Sequence, residues 1–198
     1  METIDEYLEA LASAQPTPGG GSAATIVAAM GAALVAMVAR ITLGNPKYAA
    51  KHEAARELVV EADSLRARLL AARSTDETAY GAVVTATALP RGTEIEKAMR
   101  AETLQAALAR AAAAPLEAAV LCVAVLELSL RCAVLGNTNL ASDVQCAAEF
   151  AHAALIAGAH NVRINDKYLT DAALVHANEN RLHALEADAK RIHRLVRE

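Results

Sequence analysis

From Ala23 to Ala39 the chain carries no charged residue. A helix that is apolar all round must be covered on every side by other helices or by a partner subunit. The requirement points to a packed helical assembly. Ser22 stands directly ahead of this stretch as the expected N-cap, and Pro16-Thr17-Pro18-Gly19-Gly20-Gly21 leads into it. Glycine permits positive φ and lets another group come close to bare backbone, while the prolines stiffen the approach. First-turn amides carry partial positive charge, so the loop is a candidate seat for an anionic or carbonyl-rich ligand as well as a tight turn. It has the spacing of neither a nucleotide P-loop nor a dinucleotide motif.

Helix signals recur along the rest of the chain, and strand signals are nearly absent. Thr3-Ile4-Asp5-Glu6 has the form of a capping box, opening a helix to about Ala14. The apolar helix ends near Leu43 at Gly44-Asn45, and Asn45 with Pro46 opens the next, which runs to about Arg73. A shorter helix is expected from Asp76 to about Ala88, one capped by Thr93 to Ala114, and a second central helix from Leu116 to Leu135. Further helices run from about Ser142 to Gly158 and, capped by Thr170, to the C-terminus, with a short piece at Asn161 to Asn165. In the last helix Leu182, Leu185, Ala189, Ile192 and Val196 form an a/d seam. The expectation is an all-α bundle of about six to eight helices with long buried central helices, forming one domain over 1–198 and pairing as a homodimer.

Hydrophobic residues make up 55% of the 198, mostly alanine, and aromatics only 3%, so helices are expected to approach closely through small side chains. The net charge of −4 argues against nucleic acid or an anionic membrane as partner. Ser22 to Ala39 is long enough for a membrane span, but its alanine and glycine content reads as a buried bundle helix. Acidic residues at 2, 5, 6 and 9 are unlike a signal peptide, and a cytoplasmic location is expected. Cys122, Cys132 and Cys146 read as reduced core thiols, and His176, His183 and His193 as solvated. No His, Cys or carboxylate spacing suggests a metal, so none is expected.

Four polar segments interrupt the apolar pattern: the glycine loop, Asp76-Glu77-Thr78-Ala79-Tyr80, Gly136-Asn137-Thr138-Asn139-Leu140-Ala141-Ser142-Asp143, and Asn161-Val162-Arg163-Ile164-Asn165. Each reads as a capping device by itself. Together they suggest polar groups brought to a ligand, because buried amides and carboxylates need partners.

In this order and at these separations the segments resemble the cyclodeaminase/cyclohydrolase family of folate enzymes, over nearly the whole chain. The likeness rests on Pro18-Gly19-Gly20-Gly21-Ser22, Arg40-Ile41-Thr42-Leu43-Gly44, Asp76 with Ala79-Tyr80, Leu89-Pro90, Pro115-Leu116, Ser142-Asp143 and Asn161-Val162 with Ile164-Asn165. The resemblance implies a dimeric all-α bundle with a folate site between helices near the subunit interface, and it carries the family's catalytic aspartate to Asp76. Where relatives of mammalian type have a basic stretch after the first long helix, this chain has Gly44-Asn45-Pro46-Lys47-Tyr48.

The implied activity is hydrolysis of 5,10-methenyltetrahydrofolate to 10-formyltetrahydrofolate without a cofactor. The alternatives are a formimidoyltetrahydrofolate cyclodeaminase releasing ammonia, or a non-catalytic folate-binding or scaffold bundle. A carboxylate suits either reaction, since it accepts a proton from water and returns one to the leaving nitrogen. Gly19, Gly20, Gly21, Ser22, Asn161 and Asn165 are candidate substrate-binding residues. By chemical type, Asn137, Asn139 and Asp143 match the donor-rich edge of a pterin, and Arg40 or Lys47 a glutamate tail.

Overall fold

The computed structural model describes residues 2–198, all in helices, turns and loops. Six α-helices follow one another: α1 (Ile4–Leu11), α2 (Gly20–Leu43), α3 (His52–Thr87), α4 (Glu94–Ala133), α5 (Ala141–Asp166) and α6 (Ala172–Arg197), with short 3-10 turns at Pro46–Lys51 and Thr138–Leu140. Capping boxes open α1 at Thr3 and Glu6 and α4 at Thr93 and Glu96. Asn45 accepts from the Lys47 amide as expected. At α6 the cap is Asp171, not Thr170: its Oδ1 accepts from Ala173 and Leu174, while the Thr170 amide donates to Gln105.

Three expected helix boundaries do not exist. α3 runs unbroken through Arg73-Ser74-Thr75 because the hydroxyls turn back onto their own helix: Thr75 Oγ1 donates to the Ala71 carbonyl and Thr78 Oγ1 to that of Ser74. α4 continues through Pro115, and α5 through Gly158 to Asp166.

α2 is the axis of the bundle and packs on α3, α4 and α5. Ala28, Ala32, Val35 and Ala39 of α2 are fully buried among Leu58 and Leu69 of α3, Val125 and Leu126 of α4, and Ala151 and Leu155 of α5. Small residues set the spacing. A Cβ added to Gly31 would stand 2.9 Å from the Ala147 carbonyl oxygen, so α2 and α5 touch backbone to side-chain-free backbone. α2 and α4 are long and apolar enough to cross a membrane, but 50% and 67% of their most apolar windows are buried inside the bundle.

The seam of α6 is real, with Leu182, Ala189, Ile192 and Val196 buried against α4 and α5. His193 departs from the solvated expectation. Its ring is 14% exposed, stacks on His152 at 4.5 Å, and lies 2.9 Å from the Glu149 carboxylate. Of the cysteines, Cys122 and Cys132 are buried with thiols pushed up to about 12, whereas Cys146 is exposed rather than in the core.

Candidate functional site

At the N-terminal end of α2 a carboxylate from α3 lies on bare backbone. A Cβ built on Gly21 would stand 2.5 Å from both carboxylate oxygens of Asp76, closer than any side chain tolerates. Gly21 is therefore required for close approach. None of the three loop glycines uses positive φ; among the described residues only Gly136 does, at 73°. Gly19 is the N-cap of α2 in extended conformation, and Gly20 is exposed. The candidate anion seat at the start of α2 thus receives a carboxylate of the chain itself, Asp76, beside the Ser22 amide.

Asp76 belongs to the interior of α3, not to a helix start, so capping does not explain it. Burial is the main cause that raises its pKa above the ordinary aspartate value; the neighbouring Glu77 charge adds to this, and the backbone amide of Ser22 opposes it. A carboxylate that holds its proton more tightly than usual is suited to general acid–base work.

Ser22 is fully buried in the first turn of α2, and Gly19 takes the capping position expected for it. Its hydroxyl donates to Glu77 Oε1 at 2.7 Å, which leaves the Tyr7 hydroxyl, 3.0 Å away, to donate to Ser22 Oγ. Arg73 Nε donates to the same Glu77 oxygen at 3.0 Å, its Nη1 lies 2.7 Å from Glu2, and its guanidinium covers the Tyr7 ring at 4.4 Å. This chain fixes Glu77 beside Asp76. Tyr7 and Arg73 were not site candidates in the sequence reading, and Glu77 entered only as part of the Asp76 segment. Tyr7, an aromatic in an aromatic-poor chain, was the available signal for the first of them.

The asparagine pair on α5 divides into two roles. Pro115 lacks an amide, so the Ala111 carbonyl in the preceding turn of α4 loses its helical donor. Asn165 Nδ2 donates to that carbonyl at 3.0 Å and to its own helix at Asn161 O. Asn165 is therefore a pin between α4 and α5, and it explains how α4 passes through a proline. Asn161 Nδ2 donates to Ala157 O at 2.9 Å, and its amide faces Gly20, 3.7 Å from where a Cβ would lie.

The remaining candidates stand at the other end of the bundle. Asn137 Nδ2 donates to Thr42 Oγ1 at 3.1 Å, placing it beside a residue 21 positions beyond Gly21 on α2, about 30 Å along the helix. Asn139 is exposed, and Asp143 lies in the first turn of α5. Arg40 is ion-paired with Asp63, and exposed Lys47 lies over the Tyr48 ring. Within one chain the fold does not bring these five residues to Asp76, because the length of α2 separates the two polar ends.

Beneath Asp76 is a cavity of about 10 Å³, bordered by Gly21, Thr25, Pro115 and Cys122, room for about one water. Beside it a groove of about 920 Å³ opens between α3 and α4, and Ala114 borders both. A ring-sized ligand fits the groove and not the cavity. Among the described residues no cluster of three His, Cys, Asp or Glu side chains is placed to hold a metal ion.

Comparison with known proteins places these features in context. The family model for formiminotransferase-cyclodeaminase matches residues 3–184. A methenyltetrahydrofolate cyclohydrolase of Methylorubrum extorquens is 40% identical over 95% of this chain and 90% of its own length. Formimidoyltransferase-cyclodeaminase of Mus musculus is 32% identical over 93% of this chain, which spans 34% of that longer protein. The crystal structure of a formiminotetrahydrofolate cyclodeaminase from Thermotoga maritima superposes with a TM-score of 0.88 at 29% identity, covering 98% of this chain and 93% of that one.

Proposed function

The chain belongs to the formiminotransferase-cyclodeaminase family, and from that premise we propose that it hydrolyses 5,10-methenyltetrahydrofolate to 10-formyltetrahydrofolate with Asp76 as the catalytic residue. The observation that carries the chemistry is the half-buried Asp76 carboxylate, its proton affinity raised, held against Gly21 over the small cavity that adjoins the groove. The choice of substrate is supported by the relative that matches along nearly its full length.

Water adds to the amidinium carbon that bridges N5 and N10 while Asp76 takes one of its protons. The resulting carbinolamine collapses as the C–N5 bond breaks, Asp76 returns the proton to N5, and the hydroxyl proton leaves to solvent, so the formyl group remains on N10. The ionised Asp76 also stabilises the cationic substrate electrostatically before attack. Glu77, fixed by Ser22 and Arg73, raises the proton affinity that lets Asp76 act in both directions.

Purified protein should accelerate loss of the methenyl chromophore well above the buffer rate. A rate equal to buffer alone would overturn the reading. Formimidoyltetrahydrofolate cyclodeaminase activity is the second reading, favoured by the Thermotoga maritima structure; ammonia release from the 5-formimino substrate, measured alongside, decides between them. The mechanism uses no metal or cofactor, so dialysis against a chelator is expected to leave turnover unchanged.

The working unit in this reading is a soluble, cytoplasmic homodimer. Its support is a stripe on α2 on which Met30 and Ile41 are 51% and 48% exposed, with Leu34 and Met37 half-buried between them. The residues at the Arg40 and Asn137 end reach a substrate at Asp76 only from a second copy. Sedimentation that finds an active monomer at micromolar concentration would remove the dimer.

A further inference from the structure

The groove between α3 and α4 carries two arginines that the fold does not use. Arg68 lines it from α3 and Arg110 from α4, and neither forms a salt bridge or a side-chain hydrogen bond with any described residue. The one acid on the same wall, Glu117, is held by Arg181 at 2.6 Å. Alanines make up most of the remaining wall, so the groove pairs an apolar trough with unspent positive charge.

The two helices run antiparallel, as the contacts of Arg100 with the Thr87 carbonyl and of Arg131 with Glu61 establish at either end. Asp76 borders the small cavity that shares Ala114 with the groove, and along the helix axes its level falls between the two arginines. Arg68 is eight residues before Asp76 on α3, about 12 Å along the axis. Arg110 is four residues before Ala114 on α4, about 6 Å in the opposite direction. In a tetrahydrofolate the reacting carbon is separated from the first glutamyl carboxylate by a benzoyl ring and an amide, an extended span of about 10 Å by ordinary bond lengths. That span matches Arg68 and overshoots Arg110.

We propose that the α3/α4 groove is the subsite for the benzoyl-glutamate arm of the substrate, with the ring against the alanine wall and the glutamyl carboxylates on the Arg68 guanidinium. The inference rests on the folate reading of Asp76 and adds the direction in which the substrate lies. Arg40 and Lys47, expected from the sequence to meet the tail, are at the far end of α2, whereas Arg68 is within reach in the same chain. A guanidinium suits a carboxylate because its planar donors can bind both oxygens at once.

The test compares binding of 5-formyltetrahydrofolate and of its tetrahydropteroate counterpart, which lacks the glutamate, by calorimetry, alongside KM and kcat. Arg68→Gln is expected to weaken the glutamylated ligand by about tenfold and to leave the pteroate ligand unchanged. KM should rise with kcat nearly constant, and the effect should shrink in high salt. Arg110→Gln should not alter the ratio between the two ligands. The proposal is overturned if Arg68→Gln leaves both affinities at parental values, or if Arg110→Gln carries the discrimination. Turnover that persists without Arg68 dependence defeats the subsite alone; Arg68-dependent folate binding without turnover defeats the reaction alone.

Discussion

The Asp76 carboxylate occupies the volume that a side chain on residue 21 would need, since a Cβ on Gly21 would lie 2.7 Å from its Cγ. Gly21→Ala must therefore push the carboxylate off the first turn of α2. We expect kcat to fall by about two orders of magnitude, because a displacement near 1 Å at a reacting group costs that much, with helical circular dichroism retained. Gly20→Ala is the control, as its Cβ would sit at ordinary contact distance from Asn161. Gly20→Val, whose added methyls enter the space before Asn161, should weaken ligand binding.

Asp76→Asn removes the base and keeps the shape. Turnover should fall by roughly two to four orders of magnitude with folate affinity changed far less. Because Asp76 is inside α3 rather than at its start, no cap is lost, and removing a desolvated charge should hold or raise Tm. Turnover within a few-fold of the parent would dismiss Asp76 and turn attention to Asp143.

The upward shift of Asp76 fixes the direction of two pH effects. The acidic limb of kcat/KM should lie above the ordinary aspartate range, and Glu77→Gln should move it down by removing a neighbouring charge. The folded state binds this proton more tightly than the unfolded chain. The stability contributed by Asp76 is therefore full below the unfolded value and is lost as pH rises through the folded one. Asp76→Asn should abolish that part of the pH dependence of unfolding.

Asn165 and Pro115 should be coupled. Asn165→Leu leaves the freed Ala111 carbonyl without its donor and should cost about 1–3 kcal/mol. In a Pro115→Ala background the helix supplies its own amide to that carbonyl, and the same change should cost measurably less. Additive denaturation midpoints in the double-mutant cycle would contradict this.

Boundaries set by local chemistry were legible in the sequence: the Thr3 capping box, the Thr93 and Asn45 caps and the seam on α6 all depend on neighbours within a few residues. Boundaries decided elsewhere were not. Ser74 and Thr75 resemble a break until the hydroxyls of Thr75 and Thr78 are seen to bond back onto the helix, and Pro115 resembles a restart until Asn165, far along the chain, takes the orphaned carbonyl. At the site, the importance of the glycine run was legible and its reason was not: the crowding falls on Gly21 alone, and its cause is on α3. Arg68 and Arg110 were not singled out in the sequence, because their relation exists only across two antiparallel helices.

Gly31 and Gly21 lie ten residues apart on α2, so they face directions about 80° apart. One is pressed by the Ala147 carbonyl of α5, the other by Asp76 of α3. α2 is thus keyed on two flanks, free neither to turn about its axis nor to slide between its neighbours. A methyl group introduced at Gly31, some 15 Å from the carboxylate by helical rise, would have to be relieved by rolling the helix. That roll would be felt at Asp76 as a change in proton affinity, with no residue of the site altered.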